Sequence, residues 1–345
     1  MRAVVVNCSY RHYNLGARKL RDWLVGEGWE VEYYNGDPGF FVEGVDLVAL
    51  SVIFSWDVGV AREIALRVKG EVWCGGPGMS ALGKWWERET GRKAVVGLDW
   101  RFERQRGEYK MTFASRGCPV GCWFCMVPKL EGKEFTLDWE FEPAVMLCDN
   151  NLSALPVEFQ EHILKRYAER GMKLYDTNSG FEPRTFTEET YRRWRGKHGW
   201  AWRFAFDEYD EWKYVQPMME ILKGEGNSSK RVYVLVGNET MEQCYERACK
   251  VVEWGGCPYV QPVMPLNALS RDELMIRHDW TFETLKGFQT YYNGWVWRTV
   301  PIDEFEIKGK RPFQHLRHDW WVMGFQGYAE TKQVLEGKRC TPKVI

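Results

Sequence analysis

The stretch Arg116-Gly-Cys118-Pro-Val-Gly-Cys122-Trp-Phe-Cys125 decides how the rest of the chain is read. It sets three cysteines at C-x3-C-x2-C spacing, directly after a strand-like run, Tyr109-Lys-Met-Thr-Phe-Ala-Ser115. Iron–sulfur clusters are held by cysteine thiolates, and a four-iron cubane takes four ligands. Three clustered cysteines with no fourth beside them therefore leave one iron open to a small molecule. Zinc competes, because thiolates also suit a tetrahedral structural site. Zinc sites usually pair two knuckles, and no second C-x2-C or Cys/His pair stands at the usual distance. A purely structural triplet of cysteines is the plainest alternative.

Around this stretch lies a chain of 345 residues, 45% hydrophobic and 28% charged, long enough for two domains. Its 47 basic and 48 acidic residues leave no net field to recruit nucleic acid over long range. Ten cysteines without a secretory segment read as metal ligands or buried thiols before disulfides. Met1-Arg-Ala-Val-Val-Val opens a buried strand and is too short for a signal h-region. No apolar run reaches about 18 residues, so no membrane span is expected. Cytoplasm is the expected compartment, and the oligomeric state is left open. The 19 tryptophans, Trp194, Trp200, Trp202, Trp320 and Trp321 among them, mostly read as packing, with a minority available to stack on a planar substrate.

Before the cysteines the chain alternates strands and helices. Residues 2–7, 30–34, 45–53 and 71–74 read as strands, with helices over 17–28 and 58–68. Leu20, Trp23, Leu24 and Val25 recur at helical spacing in the first helix. This alternation predicts a doubly wound, Rossmann-like parallel sheet over 1–100, whose ligands would sit beyond the carboxyl ends of its strands. After the cysteines the rhythm continues with strands at 142–148, 172–177, 202–206, 230–236 and 258–264, and helices over 156–170, 187–195 and 241–255. Counting the run before the cysteines, six βα-type units fill 106–268, and a helical cap follows over 269–345. Within that cap, His315-Leu-Arg-His318 reads more readily as a surface feature than as a metal site.

The cysteine spacing resembles that of the radical SAM superfamily, and six βα units match its partial (β/α)6 barrel. The resemblance implies a 4Fe-4S cluster on Cys118, Cys122 and Cys125, with the open iron chelated by S-adenosylmethionine. In such barrels active groups emerge at the carboxyl ends of strands. Asp149, Asn150 and Asn151 stand where the family places a loop on the methionine amino group, although no literal Gly-Gly-Glu occurs. Asn178 and Ser179 would meet the ribose or carboxylate, and Arg203 the methionine carboxylate. Asp207 would orient substrate, while Gly237 and Asn238 let backbone approach the adenine. Phe124, beside Trp123, would shield the cluster. Each polar member of this set would otherwise be an ordinary loop-capping residue.

Asp46-Leu-Val-Ala-Leu-Ser-Val-Ile53 followed by Gly75-Gly-Pro-Gly also resembles the cobalamin-binding domain of cobalamin-type radical SAM enzymes. That likeness implies a corrinoid cradle from Ser51, Phe54, Gly75, Gly76 and Pro77. The Asp-x-His-x-x-Gly motif that supplies a cobalt-ligating histidine is absent, so His12 is not expected on cobalt. Together these resemblances imply an enzyme that reductively cleaves S-adenosylmethionine to a 5′-deoxyadenosyl radical. The leading expectation is cobalamin-dependent methylation of an unactivated carbon in a small-molecule, nucleobase or peptide substrate. An external one-electron reductant of flavodoxin or ferredoxin type would drive it. The alternatives are a radical reaction without cobalamin, such as rearrangement or sulfur insertion, and a non-catalytic iron–sulfur or zinc module binding nucleic acid.

Overall fold

Arg2–Asn7 (β1) and Leu47–Ser51 (β3) are apolar runs with nearly every residue buried, as central strands covered on both faces must be. In the computed structural model, which describes residues 1–178, 180–199 and 201–316, they pair in parallel. Glu30–Asn35 (β2) and Glu71–Gly75 (β4) flank them in the order β2-β1-β3-β4, parallel throughout. Strand residues alternate faces. Ala3, Val5, Leu47 and Ala49 meet Ala17, Leu20 and Leu24 of helix α1, Leu15–Gly26. Val4, Val6, Val48 and Leu50 meet Ile64 of α2 (Val58–Arg67), Met79 of α3 (Pro77–Ser80) and Trp86 of α4 (Gly83–Thr90). The sheet is thus covered by helices on both faces, as the alternation predicts. Val25, expected on the apolar face of α1, is 54% exposed in the last turn of the helix.

After the short helix Trp100–Glu103 (α5), Met111–Thr112 (β5) pairs in parallel with Met146–Leu147 (β8), and β8 with Asp176–Thr177 (β9). Ser115–Arg116 (β6) and Thr136–Leu137 (β7) form an antiparallel pair between them, with the helix Val127–Leu130 (α6) in the connecting segment. Val157–Glu169 (α7) and Glu188–Trp194 (α8) follow, close to their predicted spans. Trp202–Phe206 (β10), Lys230–Val236 (β11) and Cys257–Pro262 (β12) form a second three-stranded sheet, with helices Trp212–Ile221 (α9) and Met241–Glu253 (α10) between them and Phe282–Asn293 (α11) beyond.

By contacts the chain divides into two compact units, residues 1–204 with 263–275, and residues 205–262 with 276–345. This division differs from the three spans expected from the sequence: the four-stranded sheet and the cysteine loop fall in one unit. The six strands expected after residue 106 occur in order, but among the described residues they make two three-stranded sheets. Of the tryptophans named above, the two that are described, Trp194 and Trp202, are packing residues buried against Phe181. Trp200, Trp320, Trp321, Ser179 and His318 lie outside the described residues.

Candidate functional site

β6 and β7 hold the two ends of the segment 117–135, which carries all three motif cysteines. Gly117 starts it with φ +91°, and a Cβ there would lie 2.1 Å from the Glu134 carbonyl oxygen, so only glycine fits. The Cys118 N–H donates to the Gly132 carbonyl at 3.3 Å, and the Cys125 N–H to the Cys122 carbonyl at 3.0 Å. Among the described cysteines, Cys8, Cys74, Cys148, Cys244, Cys249 and Cys257 are buried, and only Cys118, Cys122 and Cys125 are half-buried. Partial exposure separates ligand or reactive thiols from packing thiols. Burial pushes the Cys148 thiol up to about 12, and it serves packing.

Two donors face the sulfurs. The Val127 N–H lies 3.4 Å from Cys125 Sγ, and the Asn151 amide 3.7 Å from Cys118 Sγ. N–H donors toward sulfur stabilise thiolate charge and are the usual surroundings of a cluster. Among the described residues, no group of three or more His, Cys, Asp or Glu side chains gathers to hold a single metal ion. A cubane makes a different demand, because each thiolate binds its own iron. The donor chemistry fits the cluster.

The Asp149-Asn150-Asn151 loop that follows β8 is tied to this segment, in a way the sequence did not indicate. Asp149 is fully buried and accepts from the Ala114 N–H at 2.8 Å and the Ser115 hydroxyl at 2.5 Å. Burial pushes its carboxyl up to about 6, against the opposing pull of those hydrogen bonds and of Arg116. The expected role of Asp149 on the methionine amino group is therefore corrected: both its oxygens anchor β6. Asn150 donates to the Gly117 carbonyl and, at 2.6 Å, to Glu131. Glu131 also receives the Gly117 N–H at 2.9 Å and Arg116 at 3.2 Å, and Arg116 reaches Glu103 at 2.7 Å. Glu103 in turn receives the buried Lys19 ammonium on its carbonyl. Sequence reading missed Arg116, Glu131 and Glu103, since no periodic pattern marks an ion pair across a long loop.

Arg203 also needs correction. Its guanidinium is buried and grips Asp176 through both terminal nitrogens, at 2.8 and 3.0 Å, and reaches the Asn178 carbonyl at 3.0 Å. A fork already matched to a buried carboxylate is not an open partner for methionine. Asn178 is exposed at the end of β9. Phe124 stands edge-on to the exposed Trp123, with centroids 5.3 Å apart. Asp207, Gly237 and Asn238 belong to the other unit. There the Asn238 amide donates to the Asp207 carbonyl at 2.9 Å, and Gly237 turns the chain with φ +95°. Fully buried Arg247 fixes both strand ends, donating to the Phe206 and Leu235 carbonyls and pairing with Glu239 at 2.9 Å.

The expected corrinoid cradle is filled by the chain itself. A Cβ on Gly76 would lie 2.5 Å from the Val52 carbonyl oxygen, one on Gly78 would lie 2.4 Å from the Phe54 carbonyl carbon, and one on Gly75 3.1 Å from Val95 Cβ. These glycines admit neighbouring chain, not a ring. Pro77 starts α3. The Ser51 hydroxyl receives the Asn14 amide at 3.0 Å, and Asn14 also reaches Asn7 at 3.0 Å while capping α1. Phe54 stacks on Trp56 at 4.6 Å. A cleft of about 270 Å³ remains at this edge. Gly75 and Gly76, expected to admit a corrinoid, have neighbouring chain against them instead.

The chain is a mixed α/β protein with parallel sheets. No protein-family model and no curated protein matches it. Among solved structures, an anabolic ornithine carbamoyltransferase from Campylobacter jejuni subsp. jejuni aligns at 12% identity, over 74% of this chain and 82% of that one. The TM-score of 0.21 gives that similarity no weight for fold or activity. No helix among the described residues is long and apolar enough to cross a membrane.

Proposed function

We propose that the chain is a radical SAM enzyme in which Cys118, Cys122 and Cys125 hold a 4Fe-4S cluster. The observation that carries this reading is one loop presenting three half-buried cysteines with N–H donors on two of their sulfurs. Held by Cys118, Cys122 and Cys125, such a cluster would supply the one electron needed for reductive cleavage of S-adenosylmethionine to methionine and a 5′-deoxyadenosyl group able to take hydrogen from an unactivated C–H bond. The protein's own residues set the frame. Arg116 and Glu131 close the loop, Asp149 anchors its leading strand, and Asn151 orients the Cys118 sulfur. Trp123 and Phe124, edge-on to one another between Cys122 and Cys125, are the residues we assign to shielding the cysteines. Exposed Asn178 is the member of the expected set that we assign to S-adenosylmethionine.

Of the two radical readings, the filled glycine cradle favours the one without cobalamin, a rearrangement or insertion over a methyl transfer. Anaerobic reconstitution with iron and sulfide, followed by dithionite and S-adenosylmethionine, tests the assignment. Release of 5′-deoxyadenosine is expected. A protein that binds zinc stoichiometrically and releases none would be a non-catalytic module instead. Stable uptake of hydroxocobalamin would restore the methylation reading.

A further inference from the structure

The 270 Å³ cleft at the carboxyl edge of the four-stranded sheet is lined by Ser9, Tyr10, Arg11, His12, Asp57 and Arg271. It opens between the segments that follow β1 and β3, the two central strands from which the chain runs to opposite edges. Such a switch point is where parallel α/β sheets take their ligands. Arg11 and Arg271 are exposed, and each lies over an aromatic face, Arg11 5.5 Å from the Tyr10 centroid and Arg271 5.4 Å from that of Trp56. Two guanidinium forks on one small cleft suit an anion with several acceptor oxygens, a phosphate above all. Tyr10 is 50% exposed, leaving ring surface for a planar group. His12 stands edge-on to Phe54 at 4.8 Å, which fixes the opposite wall.

Asp57 lines the same cleft and offers a carboxylate acceptor to a ligand hydroxyl. We propose that this cleft binds a mononucleotide. Its phosphate lies on Arg11 and Arg271, a sugar hydroxyl donates to Asp57, and the base rests against Tyr10. The volume is at the low end of ligand pockets and suits one nucleotide. The inference is independent of the cysteine loop.

Calorimetric titration of the full-length protein with AMP, adenosine and inorganic phosphate tests it. AMP is expected to saturate and to bind at least about tenfold more tightly than adenosine or phosphate. Arg271→Gln, at an exposed position, should weaken AMP about tenfold and leave adenosine unchanged. Asp57→Asn should weaken AMP and adenosine alike, and thermal melting of each variant separates loss of the site from loss of the fold. AMP binding no tighter than adenosine, an affinity unmoved by Arg271→Gln, or no saturation by AMP overturns the proposal.

Discussion

The Arg116 guanidinium lies 3.2 Å from the Glu131 carboxylate, and all three motif cysteines sit in the chain between these two residues. The side chains are only 12% and 9% exposed, and Glu103, 11% exposed, completes the group from outside the loop. An ion pair this well covered holds its geometry, and removing one member leaves an uncompensated charge. The pair, with the β6–β7 hairpin below it, sets the shape of the cysteine segment.

Glu131→Ala should therefore lower stability by about 3 kcal/mol, since Arg116, the Gly117 N–H and the Asn150 amide all lose an acceptor. Iron bound per chain after reconstitution should fall with it. Urea unfolding and an iron assay check both, and a variant with full stability and full iron content would remove the closing role from this pair.

Cys122→Ala should abolish iron retention and 5′-deoxyadenosine release together. Cys148→Ala should keep both, because that thiol is buried and serves packing. Loss of iron in the second variant, or turnover in the first, would contradict the assignment of the loop.

Asp149 gives a pH signature. Its carboxyl rises from 3.8 to about 6 on burial, so the native state holds the proton more tightly than the unfolded chain. That contribution is complete below about pH 4 and is lost as pH rises through about 6, at a cost up to about 3 kcal/mol. Asp149→Asn keeps the shape and removes the titration. Unfolding free energies of the two proteins between pH 4 and 7 should diverge over that window; parallel curves would show that Asp149 does not titrate there.

Gly76→Ala should destabilise the chain by at least about 2 kcal/mol, with no ligand present. The residue has φ +103°, and the added methyl would meet the Val52 carbonyl. A variant as stable as the parent would mean that the glycine serves something other than chain packing.

In the other unit, Arg247→Met should cost about 3–5 kcal/mol, because the Phe206 and Leu235 carbonyls and Glu239 lose their buried donor. Thermal melting reads this directly, and an unchanged midpoint would refute it.

Much of this architecture is legible in the chain itself. The all-apolar cores of β1 and β3 announce central strands, and the C-x3-C-x2-C spacing marks the loop. The hairpin is not, since Thr136–Leu137 is too short to show a period. Glycine is ambiguous for a related reason: Gly75-Gly-Pro-Gly reports close approach without saying whether ligand or backbone approaches. Arg203 lies within β10 and Asp149 follows the carboxyl end of β8, and sequence assigns both to a ligand. Only the folded chain reveals Asp176 and Ser115 as their partners.

Asp149, Asn150 and Asn151 touch Ser115, Gly117 and Cys118 in the same order, like three rungs joining two rails. The strip of chain that bears the three thiols is thus pinned, residue by residue, by a second strip more than thirty positions further on.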